Sequence, residues 1–311
     1  MCNINSPIFN DESAARSYLE QQRWPNGAVC PHCGGTERNY PVQANKDAKV
    51  REGLYHCNDC SSSFTVTVGT VFEGSKVPLN KWLMAAYLMC SSKKGISSKQ
   101  LERSLGVSYK TAWFMSHRIR EAMRDDSGSL LGGGGKTVEV DETYIGRDKT
   151  IKPKGQKKGR GFHHKNKVLS LVEREGKVRS THVPAVNAAT LKPILDEQIA
   201  EGSQVYTDEA ACYTMTKKPM FEKHDYVSHG IGEYVRGDIH TNTIEGYFSI
   251  FKRGMKGIYQ HCGEQHLKRY LCEFDFRYNF REKLGFDDME RTSAVLKGIE
   301  GKRITYRGAM L

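Results

Sequence analysis

The sequence predicts a multidomain α+β protein, and three observations lead to that prediction. Two CxxC pairs lie within the first 60 residues, which indicates a small cysteine-rich unit. Apolar residues at helical spacing follow between residues 78 and 126. Beyond a serine- and glycine-rich stretch, alternating apolar and polar residues indicate strands, with helices after them, as in an α/β domain. We therefore place units at 13–75, 78–126 and 136–285, with a C-terminal tail at 286–311.

The N-terminal unit carries two cysteine pairs with the spacing of a structural zinc site. Cys30 and Cys33 form the first pair, and Cys57 and Cys60 form the second, with 23 residues between the pairs. Two such turns supply the four thiolates that a tetrahedral Zn²⁺ prefers, and a complete cysteine set leaves no open position for catalysis. The alternatives are four unrelated cysteines or a redox pair, which would need one CxxC at a strand-to-helix turn.

The middle unit predicts a helix-turn-helix. Ser97 is the expected N-cap of one helix, which ends near Gly106, and Ser108 is the expected N-cap of the next. A short turn containing glycine between two helices is typical of the motif that inserts its second helix into a DNA major groove. On that second helix, Lys110 and Arg118 are candidate DNA contacts. An ordinary helical hairpin packed on its neighbours is the alternative.

The serine- and glycine-rich stretch from Ser127 to Gly135 predicts a flexible linker, with an ordered glycine-rich loop as the alternative. The third unit then begins with strands. Lys136 to Ile145 alternates apolar and polar residues, and two further strands join at the turn residues Glu175 and Gly176. A helix, a strand ending at Asp208 and two aromatic-rich helices complete the order strand, strand, strand, helix, strand, helix, helix.

Three acidic residues of the third unit fall where phosphodiester chemistry would need them. Asp141 lies on the first strand, Asp208 ends a later strand, and Glu245 lies on the next helix. Carboxylates can hold two Mg²⁺ ions about 4 Å apart, which activate the attacking oxygen and stabilise the leaving oxygen. Glu139 competes with Asp141 because both would share one strand face, and Glu209 competes with Asp208. Each acid alone could be an ordinary turn or surface residue.

The helix that carries Glu245 has a polar stripe that does not resemble a solvated face. Asn242, Glu245, Ser249 and Lys252 fall at helical spacing along one side, while aromatic and aliphatic residues line another. Lys252 lies two turns beyond Glu245, where its ammonium could contact a DNA phosphate. Pairing between Glu245 and Lys252 or Arg253 is the simpler alternative.

The charge balance favours a polyanionic partner. The chain has 47 Lys and Arg against 36 Asp and Glu, a net charge of +11 and a pI near 9.1. Residues 147–167 hold nine Lys and Arg but only one acid. Such a stretch would bind DNA in a salt-dependent manner, or would simply be a solvated loop. The candidate DNA contacts from this stretch and from the Glu245 helix are Lys154, Lys157, Lys158, Arg160, Lys252 and Arg253.

The sequence contains neither a membrane-span pattern nor an export-signal pattern. No run approaches about 18 apolar residues, and the N-terminal residues lack a basic segment followed by an apolar core. Nine cysteines without an export signal fit a reducing compartment better than a disulfide framework. We therefore expect a cytoplasmic protein that does not bind membranes.

Together these motifs resemble bacterial insertion-sequence transposases, specifically the group with an N-terminal zinc ribbon that is related to the Merlin transposons. The similarity extends from about Ser13 to Arg281, and VDETYIG and NTIEGYFSIFKRG are its most specific parts. The resemblance implies an RNase H-like catalytic domain with a DDE triad, made of Asp141, Asp208 and Glu245, with Lys252 as an accessory residue. Asn242 is a plausible supporting residue on the same helix face.

The resemblance also implies cofactors and partners. One structural Zn²⁺ and two catalytic Mg²⁺ or Mn²⁺ ions are expected, with double-stranded DNA as the partner, both as terminal inverted repeats and as target. Joining two DNA ends implies at least a homodimer on DNA. Two other functions remain open: a DNA-binding regulator without catalysis, and an RNase H-like nuclease that cleaves without joining.

Overall fold

The computed structural model describes residues 4–45, 47, 50–146, 164–208, 221–228, 232–233 and 235–306. The chain forms two compact units. Residues 1–124 and 286–311 form the first unit, and residues 125–285 form the second. The described part of the chain contains no helix long and apolar enough to cross a membrane.

The first unit begins with helices and a small sheet. Helices α1 (Pro7–Asn10) and α2 (Glu12–Arg23) precede a three-stranded antiparallel sheet, formed by β1 (Asn39–Pro41), β2 (Tyr55–Cys57) and β3 (Ser62–Phe64) in that order. The Trp24 ring packs edge-on against the rings of Tyr55 and Phe64. These aromatic contacts give a short sheet an apolar face to pack on.

The middle of the chain forms the two helices that the sequence predicted, with another helix before them. Helix α3 (Leu79–Ser91) is followed by α4 (Ser98–Leu105) and α5 (Tyr109–Ala122). The Ser97 and Ser108 side chains accept N–H bonds at the starts of α4 and α5, which confirms both predicted caps. Gly106 ends α4 in the left-handed conformation, which glycine adopts without a Cβ penalty. A late helix of this unit, residues 288–297, packs against α2 and α3.

The second unit is built on a five-stranded mixed sheet. After the short strand β4 (Leu131–Gly132), strands β5 (Thr137–Ile145), β6 (Asn166–Glu173) and β7 (Val178–Val183) form an antiparallel meander. Helix α6 (Ala188–Gln198) and the two-residue β8 (Ile199–Ala200) lead into β9 (Ser203–Asp208), which pairs in parallel with β5. Strand β10 (Phe221–Val227), which the sequence did not predict, extends the sheet in parallel beyond β9, giving the order β10-β9-β5-β6-β7.

The remaining elements of the second unit lie C-terminal to this sheet. Strands β11 (Val235–Arg236) and β12 (Ile239–His240) pair with each other and precede α7 (Asn242–Gly254). Helix α7 continues into a π-helical turn, residues 255–259, and is followed by α8 (Glu264–Asn279).

The last helix, α9 (Asp288–Lys297), belongs to the first unit and is the helix that packs against α2 and α3. The predicted fold class, a multidomain α+β protein with an N-terminal cysteine cluster and a C-terminal α/β domain, is confirmed.

The pleat of β5 divides its side chains between two covered faces. Val138 and Val140 pack with the α6 residues Leu191 and Leu195 on one face. Ile145 packs on the other face, where α7 and α8 supply Ile244, Phe251 and Phe274 among others. Because strand residues alternate, the odd-numbered residues Glu139, Asp141 and Thr143 lie on the same face as Ile145. Strand β5 therefore places these three polar side chains on the face of the sheet that α7 and α8 cover.

Two side chains of α8 satisfy the outer edge of β7. The Ser180 N–H donates to an Asp275 carboxylate oxygen at 2.7 Å, and the Val178 N–H donates to Asn279 Oδ1 at 2.6 Å. Unpaired N–H groups on an edge strand are a risk for aggregation, and these contacts remove two of them. They also fix α8, and with it α7, against the sheet.

The second half of the predicted linker is ordered. The N–H of Gly132 donates to Glu173 Oε2 at 2.9 Å, and the N–H of Gly133 donates to Ser203 Oγ at 2.8 Å. A Cβ at residue 132 would lie 2.3 Å from Ser203 Oγ, so the close approach requires glycine. The structure favours the ordered-loop alternative for this part of the stretch.

Candidate active site and metal centre

The four cysteines of the first unit lie together in a zinc-compatible arrangement. Their sulfur atoms all lie within 4.8 Å of one another. The Cys30–Cys60 sulfurs are 3.6 Å apart, and the Cys33–Cys57 sulfurs are 3.7 Å apart. A tetrahedral ion with Zn–S bonds of about 2.3 Å requires sulfurs roughly 3.8 Å apart, so the donor set fits Zn²⁺. The Cys30–Gly35 turn, closed by backbone bonds from Gly34 to Cys30 and from Cys30 to Gly35, presents the first pair.

Two neighbouring strands carry the first two acids of the candidate triad. Glu139 of β5 pairs with Tyr206 of β9 in a parallel ladder. Asp141 and Asp208 each lie two residues further along, so both side chains lie on the same face of the sheet as Glu139 and Tyr206. Sequence pattern alone could not establish this pairing, because the pairing depends on which strands become neighbours.

Helix α7 presents the third acid and the accessory residues. Its buried residues Ile244, Tyr247, Phe248 and Phe251 fill the core beneath it. Glu245, Asn242 and Ser249 are exposed, and Lys252 is half-buried with its ammonium 5.8 Å from the Phe248 ring centroid. The polar stripe inferred from helical spacing is therefore the face of α7 that is not packed into the core.

The charges of these side chains affect one another. Burial raises the pKa of Asp141 to about 8, and the negative charges of Glu142, Asp208 and Glu245 contribute to the rise, partly opposed by the Glu142 N–H that donates to Asp141. Burial lowers the pKa of Lys252, while the charges of Asp141 and Glu245 oppose that shift. The Lys252 ammonium thus interacts with the same acids that the sequence grouped with it.

A cluster of carboxylates that repel one another is the donor set that a hard divalent cation would neutralise. In the residues that the structure describes, the four cysteines are the one group of three or more metal-ligating side chains with ligand atoms in mutual close contact, so the acids are more widely spaced than the thiols. The residue chemistry fits Mg²⁺ or Mn²⁺, and the exposed Glu245 side chain is free of core packing that would prevent it from turning toward the aspartates.

Glu139, the competitor of Asp141, has a different position. Its side chain is fully buried and accepts hydrogen bonds from the backbone N–H of Ile244 at 2.9 Å, from Thr243 Oγ1 at 2.8 Å and from Arg174 Nε at 2.7 Å. These donors leave Glu139 engaged with the first turn of α7. Sequence reasoning placed it on the correct face but missed its partner Arg174, which no local motif marks.

A cleft of about 520 Å³ lies in the second unit between the end of β5 and the C-terminal end of α7. The end of β5, from Glu142 to Gly146, lines one side. Lys165, Lys252 and Lys256 also line it, and Lys252 interacts with Asp141 and Glu245 as well. That combination suits a phosphate backbone, which needs cations along its path and a metal-binding cluster at one bond.

The two candidate DNA contacts on α5 differ in exposure. Lys110 lies in the exposed first turn of the helix, beside the exposed ring of Tyr109. Arg118 is only 4% exposed, and its guanidinium donates to the Glu73 carbonyl and lies over the Trp82 ring. The DNA contact predicted for Arg118 therefore does not fit the structure, because its side chain lies on a covered face of α5.

Four of the other basic candidates lie outside the described residues, namely Lys154, Lys157, Lys158 and Arg160. Arg253 is exposed on α7, where its guanidinium donates to the Ser249 hydroxyl at 2.7 Å and carbonyl at 3.1 Å. It remains available to solvent at the same end of the helix as Lys252.

Comparison with known proteins identifies the family. Residues 130–279 match the ISXO2-like transposase domain, and residues 10–63 match the transposase zinc-ribbon domain. The chain is 31% identical over 294 residues to an uncharacterized protein in transposable element ISH50 of Halobacterium salinarum, covering 89% of this chain and 94% of that protein. The chain belongs to the ISXO2-like transposases.

A second relative of this transposase is shorter. An uncharacterized transposase-like protein of Haemophilus influenzae is 29% identical over 106 residues, covering 34% of this chain and 84% of that protein. The resemblance to insertion-sequence transposases with an N-terminal zinc ribbon is therefore confirmed.

Proposed function

We propose that this ISXO2-like transposase cuts DNA at the ends of its insertion sequence and joins the freed ends to target DNA. The observation that carries the proposal is the electrostatic coupling of Asp141 with Asp208, Glu245 and Lys252 beside a lysine-lined cleft. In a chain of a transposase family, such a cluster is the chemistry that phosphodiester cleavage requires.

Asp141, Asp208 and Glu245 would hold two Mg²⁺ or Mn²⁺ ions, with Asp141 placed centrally on β5. When bound, these ions would activate the attacking oxygen and stabilise the leaving oxygen. Lys252 would contact the phosphate as a point charge, and the exposed Asn242 would support Glu245 from one helical turn away. The first step would hydrolyse the phosphodiester at the element end and free a 3′-hydroxyl. That hydroxyl would then attack a phosphorus of the target strand, and the 3′-oxygen of the neighbouring target nucleotide would leave.

The first unit would recognise double-stranded DNA at the terminal inverted repeats. The zinc ribbon, held by one structural Zn²⁺ on its four cysteines, and the exposed start of α5 with Lys110 are the proposed contact surfaces. The basic stretch 147–167 would add sequence-independent attraction, as would Lys252 and Arg253. Joining two ends at one target requires at least two copies of the chain on DNA.

A metal-dependent cleavage and joining assay tests the proposal. Labelled DNA carrying the flanking inverted repeat is incubated with wild-type protein, with Asp141→Asn or with Glu197→Gln, in the presence of Mg²⁺, Mn²⁺ or neither. Glu197 is an exposed acid on α6, on the opposite face of the sheet, so its variant loses the same charge without touching the site. Cleaved and joined products from wild type and Glu197→Gln, absent for Asp141→Asn and without metal, are the expected result.

Two other outcomes correspond to the competing functions. Cleavage without joined product would indicate a nuclease of the same chemistry. Tight binding to the repeat without cleavage under any metal would contradict catalysis and support a DNA-binding regulator.

A further inference from the structure

We propose that Glu139 and Arg174 form a positioning pair that holds the three acid-bearing elements in register for metal binding. This inference rests on the proposed function, because it assigns a role relative to Asp141, Asp208 and Glu245. Neither Glu139 nor Arg174 would touch the substrate or the metal; both act by fixing the backbone that presents the acids.

Glu139 joins the first acid-bearing element to the third. It lies on β5, two residues before Asp141, and its carboxylate accepts the Ile244 N–H and the Thr243 hydroxyl in the first turn of α7. Ile244 immediately precedes Glu245. A carboxylate that binds a backbone N–H at a helix N-terminus also interacts favourably with the helix dipole, so this bond holds the helix end firmly.

Arg174 joins the same carboxylate to the second element and to the segment before α7. Its guanidinium donates to Glu139 at 2.7 Å, to the carbonyls of Asp238 at 2.9 Å and His240 at 3.1 Å, and lies 5.0 Å from the ring centroid of Tyr206. Tyr206 of β9 pairs with Glu139 and lies two residues before Asp208. The buried Glu139 and the half-buried Arg174 therefore contact all three elements within two residues of each acid.

The physical reason for an ion pair at this point is its directionality. A buried ion pair adds little net stability compared with apolar residues of similar volume, because both charges lose their hydration. Charge-assisted hydrogen bonds, in contrast, hold their partners in fixed directions. Metal sites tolerate little displacement of their ligands, so supporting contacts of this kind determine affinity.

The second unit offers a matched control. Glu273 of α8 is also fully buried, is paired with Arg277 and accepts a hydrogen bond from Tyr259. Its hydrogen bond from Tyr259 joins α8 to the π-helical turn. Glu139→Gln and Glu273→Gln thus each remove the charge of a fully buried glutamate paired with an arginine, and only Glu139 lies on an acid-bearing element.

The test measures Mn²⁺ binding by electron paramagnetic resonance on the full-length, zinc-loaded protein without DNA. Glu139→Gln is expected to weaken Mn²⁺ affinity roughly tenfold or more. Glu273→Gln is expected to lower the melting temperature while keeping Mn²⁺ affinity within about twofold of wild type. In the cleavage assay, Glu139→Gln should lower kcat and leave KM for DNA unchanged, since no DNA contact is removed.

A milder pair of variants covers the case in which Glu139→Gln does not fold. Thr243→Val removes one hydrogen bond to Glu139 and keeps the ion pair, whereas Thr243→Ser keeps the hydroxyl. We expect a several-fold loss of Mn²⁺ affinity for Thr243→Val and restoration to the wild-type value for Thr243→Ser.

Two results would overturn the inference. Glu139→Gln and Glu273→Gln could alter Mn²⁺ affinity equally, or Thr243→Val could match Thr243→Ser; either would leave Glu139 with a purely structural role. Asp141→Asn separates this failure from that of the proposed function. If Asp141→Asn binds Mn²⁺ as wild type does, the acids hold no metal and both proposals fall, whereas loss of binding in Asp141→Asn alone refutes only the positioning role.

Discussion

Asp141 is half-buried near other carboxylates, so its ionisation opposes folding whenever no cation is bound. Its pKa is about 8 in the folded protein, against an ordinary value of 3.8. Below about pH 4 both the folded and the unfolded chain hold the proton, and the residue costs no stability. As the pH rises toward 8, the unfolded chain releases this proton while the folded chain retains it, so the free energy of unfolding falls. Above that range both states are ionised and the loss is constant.

The magnitude follows from the size of the shift. Each unit of pKa difference corresponds to about 1.4 kcal/mol, so a rise of about four units costs on the order of 5 kcal/mol once the pH reaches 8. Asp141→Asn keeps an oxygen to accept the Glu142 N–H but cannot ionise. The variant is therefore expected to be more stable than wild type without metal, by roughly 1–2 kcal/mol at pH 5 and roughly 4–6 kcal/mol at pH 8.

Hydrogen exchange with mass spectrometry measures this difference in the correct unit. All three tryptophans, Trp24, Trp82 and Trp113, lie in the first unit, so their fluorescence does not report on the five-stranded sheet of the second unit. Protection of peptides from β5 and α7 against exchange reports on that sheet directly. Both proteins should be passed over a resin that removes Mg²⁺ and Mn²⁺ but leaves the cysteine-bound zinc. Parallel protection of the two proteins from pH 5 to pH 8 would refute the reasoning, and added Mg²⁺ should stabilise wild type only.

Three further predictions concern other parts of the chain. Cys57→Ser should lower the zinc content, measured by atomic absorption, and unfold the ribbon, because three thiolates leave the tetrahedral set incomplete; full zinc occupancy would contradict this. Phe251→Ala should lower the free energy of unfolding of the second unit by about 3–5 kcal/mol in urea titrations, since the side chain is fully buried, and a loss below about 1 kcal/mol would be inconsistent with that packing. Lys110→Ala should weaken binding to the inverted repeat and reduce the slope of log K against log salt by about one, because Lys110 is exposed. Arg118→Ala should instead reduce thermal stability, because Arg118 is buried. Weaker DNA binding for Arg118→Ala at unchanged stability would contradict this interpretation of α5.

Local sequence patterns correctly predicted the features that depend on residues close together in the chain. The caps at Ser97 and Ser108 follow from side chains reaching an N–H three residues away, and the polar stripe of α7 follows from helical periodicity. The Glu175–Gly176 turn lies between β6 and β7 as predicted, with Glu175 in the left-handed conformation.

The exposure of individual side chains was less predictable, because helical periodicity does not indicate how many faces of a helix are covered by neighbouring elements. Arg118 lies on a helix with an amphipathic sequence, and its charge suggested a surface position. The structure packs α3 against α5, and the guanidinium finds a carbonyl and an aromatic ring inside. A buried arginine needs such partners, and sequence alone does not reveal them. Strand β10 was missed for a related reason, since it gains its ladder only from β9.

The sequence by itself determined the composition of this transposase: its cysteine pairs, its capped helix pair, and three acids in strand and helix order with a lysine two turns beyond the last. Only the tertiary structure decided which residues meet. Pairing of β5 with β9 made neighbours of the strands that carry Asp141 and Asp208, and Glu139 accepts hydrogen bonds from Arg174 and from the first turn of α7, next to Glu245. The physical reason is that side-chain type and spacing are local properties, whereas strand neighbours and buried ion pairs depend on contacts between residues far apart in the chain.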